Sequence, residues 1–373
     1  MIAVVNAAAG ILSPAAIRVS FRSIARKRSL MFSPQNLSAL RVAVLAGGDS
    51  DERDVSLKSG MAVAAALSAA GHEVLHLDPA IVELSGIDWS QFDVAFIALH
   101  GRFGEDGQVQ QILEQAQVDY TGSDAIASRL AFSKSAAKER FRLFGVPTPR
   151  YSLIHYNDDL EWIAQKAAEV GYPLVVKPDT QGSSLGITIV HTPDRLAEGL
   201  KLCFQFDVFG VLETMVEGTE WTVGLIGRET LPAIKIETDR EFFDWQAKYE
   251  DDATRYLFET NLPEKLMQQI ELVAKNACSA LGTSGLARVD LRLDHSNEPW
   301  VLEVNTIPGF TDHSLLPKAA ARQGIDFVTL CDRIVRGCQH RSIAHPPSET
   351  PLAPHIFAQT ADPAKSGRRP HRD

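Results

Sequence analysis

The sequence predicts an α/β protein in which a parallel, helix-covered sheet is followed by lobes of mixed α+β structure. From Arg41 onward, short apolar runs alternate with segments whose apolar residues recur at helical spacing. Beyond residue 213, alternating strand patterns such as "EWTVGLIG" and "ARVDLRLD" replace that regular order. The chain has 373 residues, which is enough for two or three domains with a large buried core.

The composition is that of an ordinary globular protein, with 45% hydrophobic and 23% charged residues. The formal net charge of -10 argues against nucleic acid as a partner, so any bound phosphate must be held by a local site. No uninterrupted apolar stretch is long enough to span a membrane. The four cysteines form no CxxC pair, which predicts small buried thiols in a reducing compartment.

Both ends of the chain differ from its middle. No Asp or Glu precedes Asp49, and a basic cluster follows the first apolar stretch, which is the reverse of a secretory signal. We interpret residues 1–40 as a disordered or mis-assigned extension, with an organelle-targeting segment as the alternative. Residues 341–373 are rich in proline and charge, which predicts a flexible tail.

Residues 41–122 are expected to form the first lobe. The strand "RVAVLAGG" is followed by a helix, by the strands "HEVLHLD" and "FDVAFIALHG", and by the helix "GQVQQILEQAQV". This alternation predicts a parallel sheet covered by helices. The glycines after the first strand suggest a Rossmann-like turn, but without GxGxxG they are weak evidence for a nucleotide. Residues 123–212 and 213–340 are predicted to form a central and a C-terminal lobe.

A lysine and a Gly/Ser loop stand between two predicted strands in "VVKPDTQGSSLG". Because Lys177 precedes the loop, the order excludes a Walker A site. The ammonium of Lys177 can contact a phosphate, while Gly182 and Gly186 allow backbone to approach its oxygens. The hydroxyl of Ser183 adds a hydrogen-bond donor to the same loop. The alternative is a simple hairpin with a solvated lysine, and this stretch alone leaves both interpretations open.

An acidic hairpin is predicted in "ARVDLRLDHSNEPWVLEVNTIPGF". Strand alternation places Asp290 on one face, and pairing of the two strands brings it opposite Glu303 and Asn305. Two carboxylates and an amide suit Mg²⁺ that also holds phosphate oxygens. The alternative is a solvated face paired with Arg292, but the Pro-Gly turn beside the acidic set favours the metal interpretation.

With these residues in hand, the chain resembles the D-alanine–D-alanine ligase family of ATP-grasp enzymes. The resemblance runs from about Arg41 to Gly337, and eight strings occur in the order typical of the family, among them "IALHGRFGEDG", "VVKPDTQGSSLG" and "LEVNTIPGFTDHSLLP". It implies an ATP-grasp fold preceded by a Rossmann-like parallel α/β domain. The implied activity is ATP-dependent joining of two D-alanines through a D-alanyl phosphate, for peptidoglycan precursor synthesis, in a cytoplasmic homodimer.

The resemblance also implies a role for individual residues. ATP phosphates would meet Lys134, Lys177 and Lys248, and the adenine and ribose would meet Glu213, Val216 and Glu220. Two Mg²⁺ (or Mn²⁺) ions would be held by Asp290, Glu303 and Asn305. The alanine sites and the oxyanion would be served by Asp54, His100, Arg288, Gly309, Ser314 and Leu315. Ser183 and Tyr249 would link the closing loop to the first lobe.

The sequence departs from the family pattern at two of these places. Asp54 stands where the resemblance implies a glutamate for the ammonium of the first alanine, so its reach is shorter by roughly 1.5 Å. Thr214 follows Glu213 at a position where the resemblance implies that lysine is frequent. The alternatives are another ATP-grasp ligase, a nucleotide sensor without chemistry, and a dinucleotide-dependent oxidoreductase, which the missing glycine fingerprint disfavours.

Overall fold

The computed structural model describes residues 3–4, 38–240, 253–258, 260–311 and 314–338. The predicted tail at 341–373 lies outside these residues, as does most of the predicted extension at 1–40. Within that extension, the short strand Ala3–Val4 pairs in parallel with the strand that contains Leu75 and His76.

The first lobe contains the predicted parallel sheet. Its strand order is β1-β3-β2-β4, and each neighbouring pair is parallel, which confirms the expected α/β arrangement. Alternate residues of β2 enter two different apolar clusters, so helices and loops cover both faces of this sheet. The elements are β1 (Ala3–Val4), β2 (Arg41–Leu45), α1 (Arg53–Ala69), β3 (Glu73–Leu77), β4 (Val94–Ile97) and α2 (Gln108–Gln115).

The central lobe is a four-stranded antiparallel sheet with two helices on one face. Its strand order is β5-β8-β6-β7, and the Gly/Ser loop joins β6 to β7. Two helices, α3 (Ala125–Phe132) and α4 (Lys134–Leu143), precede this sheet. The other elements are β5 (Tyr151–His155), α5 (Leu160–Val170), β6 (Leu174–Pro178), β7 (Thr188–Val190), α6 (Leu196–Cys203) and β8 (Phe209–Thr214).

The C-terminal lobe is built on an antiparallel sheet of order β12-β11-β9-β13-β14, with β10 paired to β9. The helix that follows β12 begins after Pro263 and ends at Gly282, as its Pro and Gly predict. The elements are β9 (Gly218–Ile226), β10 (Glu229–Thr230), β11 (Ile234–Glu237), β12 (Arg255–Leu257), α7 (Glu264–Leu281), β13 (Leu286–Asp294), β14 (Pro299–Asn305), α8 (Leu315–Arg322) and α9 (Phe327–Cys338).

The apolar cores of the three lobes are not each built from one consecutive segment of the chain. Helices α3 and α4 belong by sequence to the predicted central lobe, yet Ala131 and Phe141 pack in the core of the C-terminal lobe. Helix α9 lies at the other end of the chain, and Leu330 and Ile334 pack in the core of the first lobe. An apolar helix face is buried wherever a sheet face is uncovered, and sequence order does not determine which sheet that is.

All four cysteines are buried, as predicted. Burial raises the pKa of Cys203 and of Cys331 to about 12, so neither thiol ionises near neutral pH. Within the described residues, no helix has the length and hydropathy that a membrane crossing requires.

An ion pair joins the first residue of β2 to the residue before β4, and it predicts acid sensitivity. The Asp93 carboxylate accepts from the backbone N–H of Arg41 at 2.7 Å and from its guanidinium at 2.7 and 3.3 Å. This hydrogen bonding with Arg41 lowers the pKa of Asp93 below its ordinary 3.8. The stabilisation from this ion pair is therefore complete above about pH 3.8, the ordinary pKa of the carboxyl. It is lost as the pH falls through the lower pKa of the folded state.

We expect Asp93→Asn to lower the free energy of unfolding by about 1 kcal/mol at pH 7, because the pair is partly exposed to solvent. The difference from wild type should shrink at pH 3, and urea midpoints at both pH values measure it. Asp49→Asn, at an exposed position, should follow wild type at both. A difference that stays constant with pH would contradict the prediction.

Candidate active site

A cavity of about 750 Å³ lies where the three lobes meet. The first lobe contributes α1 and the loop after β4, the central lobe contributes the Gly/Ser loop, and the C-terminal lobe contributes β13, β14 and the loop after β14. The predicted site residues that line this cavity are Asp54, His100, Lys134, Ser183, Arg288, Glu303, Asn305, Gly309, Ser314 and Leu315.

The acidic hairpin has the predicted pairing. Strands β13 and β14 are antiparallel, with Asp290 opposite Glu303 and Arg288 opposite Asn305. A bulge after Asp290 shifts the register, so the next pair is Leu291 with Val301. The three predicted metal ligands therefore stand as neighbours on adjacent strands.

Each side chain of this oxygen-bearing set has protein contacts. The Asp290 carboxylate accepts from Arg288 Nε at 2.9 Å and Nη2 at 2.6 Å, and from Thr222 Oγ1 at 2.6 Å. The Glu303 carboxylate lies 3.5 Å from Lys134 Nζ. The Asn305 side-chain oxygen accepts from the Ile307 backbone N–H at 3.0 Å. Each of the two carboxylates thus lies beside a basic side chain.

These residues fit magnesium better than a transition metal. Within the described ranges, no group of three or more His, Cys, Asp or Glu side chains is arranged to hold a metal ion. The set on β13 and β14 instead offers two carboxylates and an amide, which are hard oxygen donors. Mg²⁺ accepts such an incomplete protein set, because it retains waters and takes its remaining ligands from substrate phosphates.

Lys177 is buried, so the alternative of a solvated hairpin lysine is wrong. Its Nζ lies 2.7 Å from Oε1 of Glu213, and the other oxygen of that carboxylate pairs with the ammonium of Lys138. Burial favours the neutral form of Glu213, but the two ammonium groups outweigh it and hold the pKa of the carboxyl below its ordinary value. Both oxygens of the Glu213 carboxylate are thus ion-paired with buried lysines.

Lys138 was not singled out from the sequence, yet it lies at the centre of this cluster. It is fully buried on α4 and donates to Thr148 Oγ1 at 2.7 Å, and Thr148 donates to the Val301 carbonyl at 2.9 Å. Burial lowers the pKa of Lys138 to about 8, although Glu213 opposes the shift. The cluster connects α4, the central sheet and β14.

Lys134 begins α4 beside the Gly/Ser loop. Its backbone N–H donates to the Asp179 carbonyl at 3.0 Å, and its Nζ donates to the Gln181 carbonyl at 2.6 Å. The Asp179 carboxylate accepts from Ser133 Oγ and from the Ser135 backbone N–H, both at 2.7 Å. These bonds hold the helix N-terminus and the loop together, and Lys134 lines the cavity beside them.

The structure places Glu52, and not Asp54, against the Gly/Ser loop. The Glu52 carboxylate accepts a short hydrogen bond from Ser183 Oγ, which links the loop to the first lobe. Glu52 is 8% exposed and precedes the first turn of α1, whereas Asp54 is exposed within that turn. The side chain of the residue before the helix is the one directed to the loop.

The other predicted residues are distributed around this cavity and beyond it. Ser314 is the cap of α8, and its Oγ accepts from the Thr311 backbone N–H at 3.0 Å. Val216 lies between β8 and β9 and lines a second cavity of about 570 Å³. Glu220 on β9 lies 3.5 Å from Arg292. Lys248 and Tyr249 lie outside the described residues.

Two family models match the chain. One, described as "D-ala D-ala ligase C-terminus", matches residues 141–336, and the other, described as "D-ala D-ala ligase N-terminus", matches residues 79–123. A D-alanine–D-alanine ligase of Marinobacter nauticus is 45% identical over 304 residues, which cover 81% of this chain and 93% of that protein.

Solved structures are similar over a comparable share of the chain. The D-alanine–D-alanine ligase from Bacillus anthracis complexed with ATP has a TM-score of 0.71 and 32% identity, covering 82% of this chain and 98% of that chain. A D-Ala:D-Ser ligase from Enterococcus faecalis has a TM-score of 0.72 and 26% identity, covering 81% of this chain and 100% of that chain. The chain therefore belongs to the D-alanine–D-alanine ligase family of ATP-grasp enzymes.

Proposed function

We propose that this chain joins two molecules of D-alanine at the expense of ATP, as a cytoplasmic enzyme that works as a homodimer. The observation that carries the proposal is one cavity lined by an acidic hairpin, a buried carboxylate at a helix start and a guanidinium. An acid must be activated before it condenses with an amine in water, and ATP provides a phosphate as the leaving group.

ATP is proposed to lie between the central and C-terminal lobes, with its phosphates near Lys134 and Lys177. Asp290, Glu303 and Asn305 would hold two Mg²⁺ ions, and Lys248, which lies outside the described residues, is proposed as a further phosphate contact. The bound metal ions would neutralise charge on the phosphate oxygens. Val216 and Glu220 lie toward the proposed adenine and ribose end.

The first D-alanine is proposed to place its ammonium against Glu52. Glu52 is buried, lines the cavity and is fixed by Ser183, which would orient the substrate carboxylate toward the nucleotide. Asp54 also lines the cavity, but its exposure to solvent makes it a weaker ammonium partner. We therefore transfer the proposed role from Asp54 to Glu52.

Gly182 lies beside the Glu52 carboxylate and provides a test of this assignment. A Cβ at this position would lie 2.7 Å from Oε2 of Glu52, so Gly182→Ala must displace the carboxylate. We expect about a tenfold higher KM for the first D-alanine, because a misplaced contact weakens binding. Gly86→Ala is a matched control, since its Cβ would meet nothing within 4 Å. Equal KM values for both variants in steady-state kinetics would contradict the assignment.

The reaction is proposed to proceed in two steps. An oxygen of the first D-alanine carboxylate attacks the γ-phosphorus, the bond to the β-phosphate oxygen breaks, and ADP leaves. The amine of the second D-alanine then attacks the acyl carbon, loses a proton and displaces inorganic phosphate. The oxyanion of that second step would form between the Arg288 guanidinium and the Gly309 N–H, both on the cavity wall.

The second D-alanine is proposed to bind its carboxylate near Ser314 and Leu315. Ser314 caps α8 and Leu315 is its first residue, so backbone N–H groups and the positive end of the helix dipole lie there. The similarity to a D-Ala:D-Ser ligase makes D-serine the second candidate for this position. The choice between them depends on the side chain that the cavity accepts beside the carboxylate.

The test is ADP release and dipeptide formation with D-alanine, L-alanine, D-serine and D-lactate compared side by side. We expect ADP release that depends on D-alanine and Mg²⁺, with D-alanyl-D-alanine as the product. A preference for D-serine would support the second candidate. ATP binding without turnover on any of these substrates would instead indicate a nucleotide sensor and overturn the proposal.

A further inference from the structure

We propose that Ser59 is a positioning residue, which acts with His100 to orient the loop that carries Gly309. The inference rests on the proposed function, since that function gives the Gly309 N–H its role at the oxyanion. Ser59 lies on α1 in the first lobe and is fully buried, whereas Gly309 follows β14 in the C-terminal lobe. The connection between them is a chain of hydrogen bonds.

Two apolar side chains anchor this loop on the first lobe. Ile307 packs in the cluster on one face of the parallel sheet, and Phe310 packs in the cluster on the other face. The ring of Phe310 lies 5.5 Å from the ring of Phe96. These contacts fix the two ends of the segment, but apolar packing alone does not set the orientation of the peptide groups between them.

Polar contacts supply that orientation. The Phe310 backbone N–H donates to Ser59 Oγ at 3.3 Å, and Ser59 Oγ lies 3.0 Å from Nε2 of His100. Nδ1 of His100 lies 3.0 Å from the Ile307 carbonyl oxygen. A carbonyl can only accept, so Nδ1 carries a hydrogen and donates to Ile307, while Nε2 shares a hydrogen bond with the Ser59 hydroxyl.

The peptide group that contains the Gly309 N–H lies between the two peptide groups that this relay holds. The Ile307 carbonyl belongs to the preceding peptide, and the Phe310 N–H belongs to the following one. Pro308 restricts the remaining rotation between them. Since an oxyanion donor contributes only at the right distance, a small rotation of this peptide would weaken the second step.

His100 thereby acquires a more specific role than the one predicted from sequence. It lines the cavity, but both of its ring nitrogens are used within the protein, one by Ser59 and one by Ile307. One carboxylate also faces this ring: Oε1 of Glu105 lies 3.8 Å from Nδ1, and it accepts from the Gly101 N–H at 3.1 Å. We infer that His100 acts on the loop and not on the alanine.

The test is Ser59→Ala, with ADP and dipeptide measured in the same reaction. We expect dipeptide formation to fall about tenfold. We also expect more than one ADP per dipeptide, because an acyl phosphate that waits for attack is hydrolysed by water. Ser59→Cys keeps the side-chain volume and loses most of the hydrogen bonding, so it should show the same excess of ADP.

Ser56→Ala is the matched control. Ser56 is fully buried on the same helix and also makes two hydrogen bonds, accepting from the Gly47 N–H at 2.8 Å and donating to the Ala98 carbonyl at 2.7 Å. It does not contact the loop, so its loss should lower stability and leave one ADP per dipeptide. Unchanged stoichiometry and kcat in both Ser59 variants would overturn the proposal. A wild-type protein that forms no dipeptide would overturn the function instead.

Discussion

Arg288→Lys is expected to lower kcat by about 10²–10³-fold, because the proposed mechanism uses the guanidinium of Arg288 as a donor to the developing oxyanion. The guanidinium of Arg288 contacts the Asp290 carboxylate through Nε at 2.9 Å and Nη2 at 2.6 Å while it lines the cavity. A lysine provides one point charge and cannot hold Asp290 in the same two-pronged geometry. The measurement is the rate of dipeptide formation, with circular dichroism and a melting curve to verify the fold.

Arg292→Lys is the control on the same strand. Arg292 is two residues further along β13, where it donates to the Gly218 carbonyl at 2.8 Å and lies 3.5 Å from Glu220. We expect the kcat of this variant to stay near that of wild type. Any effect should appear as a higher KM for ATP. Equal kcat losses in the two variants would mean that Arg288 acts through the fold and not at the reacting carbonyl.

The secondary structure of the described lobes could be predicted because local patterns determine it. The parallel strands of the first lobe are continuous apolar runs, and β13 and β14 alternate with a period of two. The sequence could not predict which lobe each helix covers. Helix α9 packs on the first lobe because its apolar face, with Leu330 and Ile334, finds an uncovered sheet there.

The position of Glu52 shows a limit of motif reasoning. The string "DERDVS" contains three carboxylates, and which of them is directed to the loop depends on where α1 begins. The helix begins at Arg53, so Glu52 precedes the first turn and is directed to the loop, while Asp54 is exposed. Helix boundaries are the least certain part of a sequence-based assignment, and here one boundary decides the chemistry.

The sequence patterns did not single out Lys138 or Ser59, and the reasons differ. Buried positions on α4 include Lys134, Ala137, Lys138 and Phe141. Their spacing of three and four residues is that of one helix face, so helical periodicity alone indicates a lysine on the apolar side. No comparable signal exists for Ser59, because its partners His100 and Phe310 are 41 and 251 residues away in the chain.

The buried lysine gives the prediction with the largest expected effect on stability. Lys138→Met leaves the fully buried Glu213 carboxylate with Lys177 as its remaining lysine partner, and it also removes the hydrogen bond to Thr148. We expect the free energy of unfolding to fall by about 3 kcal/mol, because the carboxylate loses one of its two buried ion-pair partners and Thr148 loses its hydrogen bond from Lys138. Urea unfolding measures the loss.

A second change should add to that loss. In the double variant Lys138→Met with Glu213→Gln, the buried ammonium of Lys177 loses its carboxylate partner, so the double variant should be less stable than the single variant. Lys166→Met is the matched control, because Lys166 pairs with Glu169 on the surface of α5 and such pairs contribute only about 0.5 kcal/mol. If Lys138→Met were as stable as this control, the cluster around Glu213 would not hold the central sheet against β14. Lys177 would then need another explanation for its position at the end of β6.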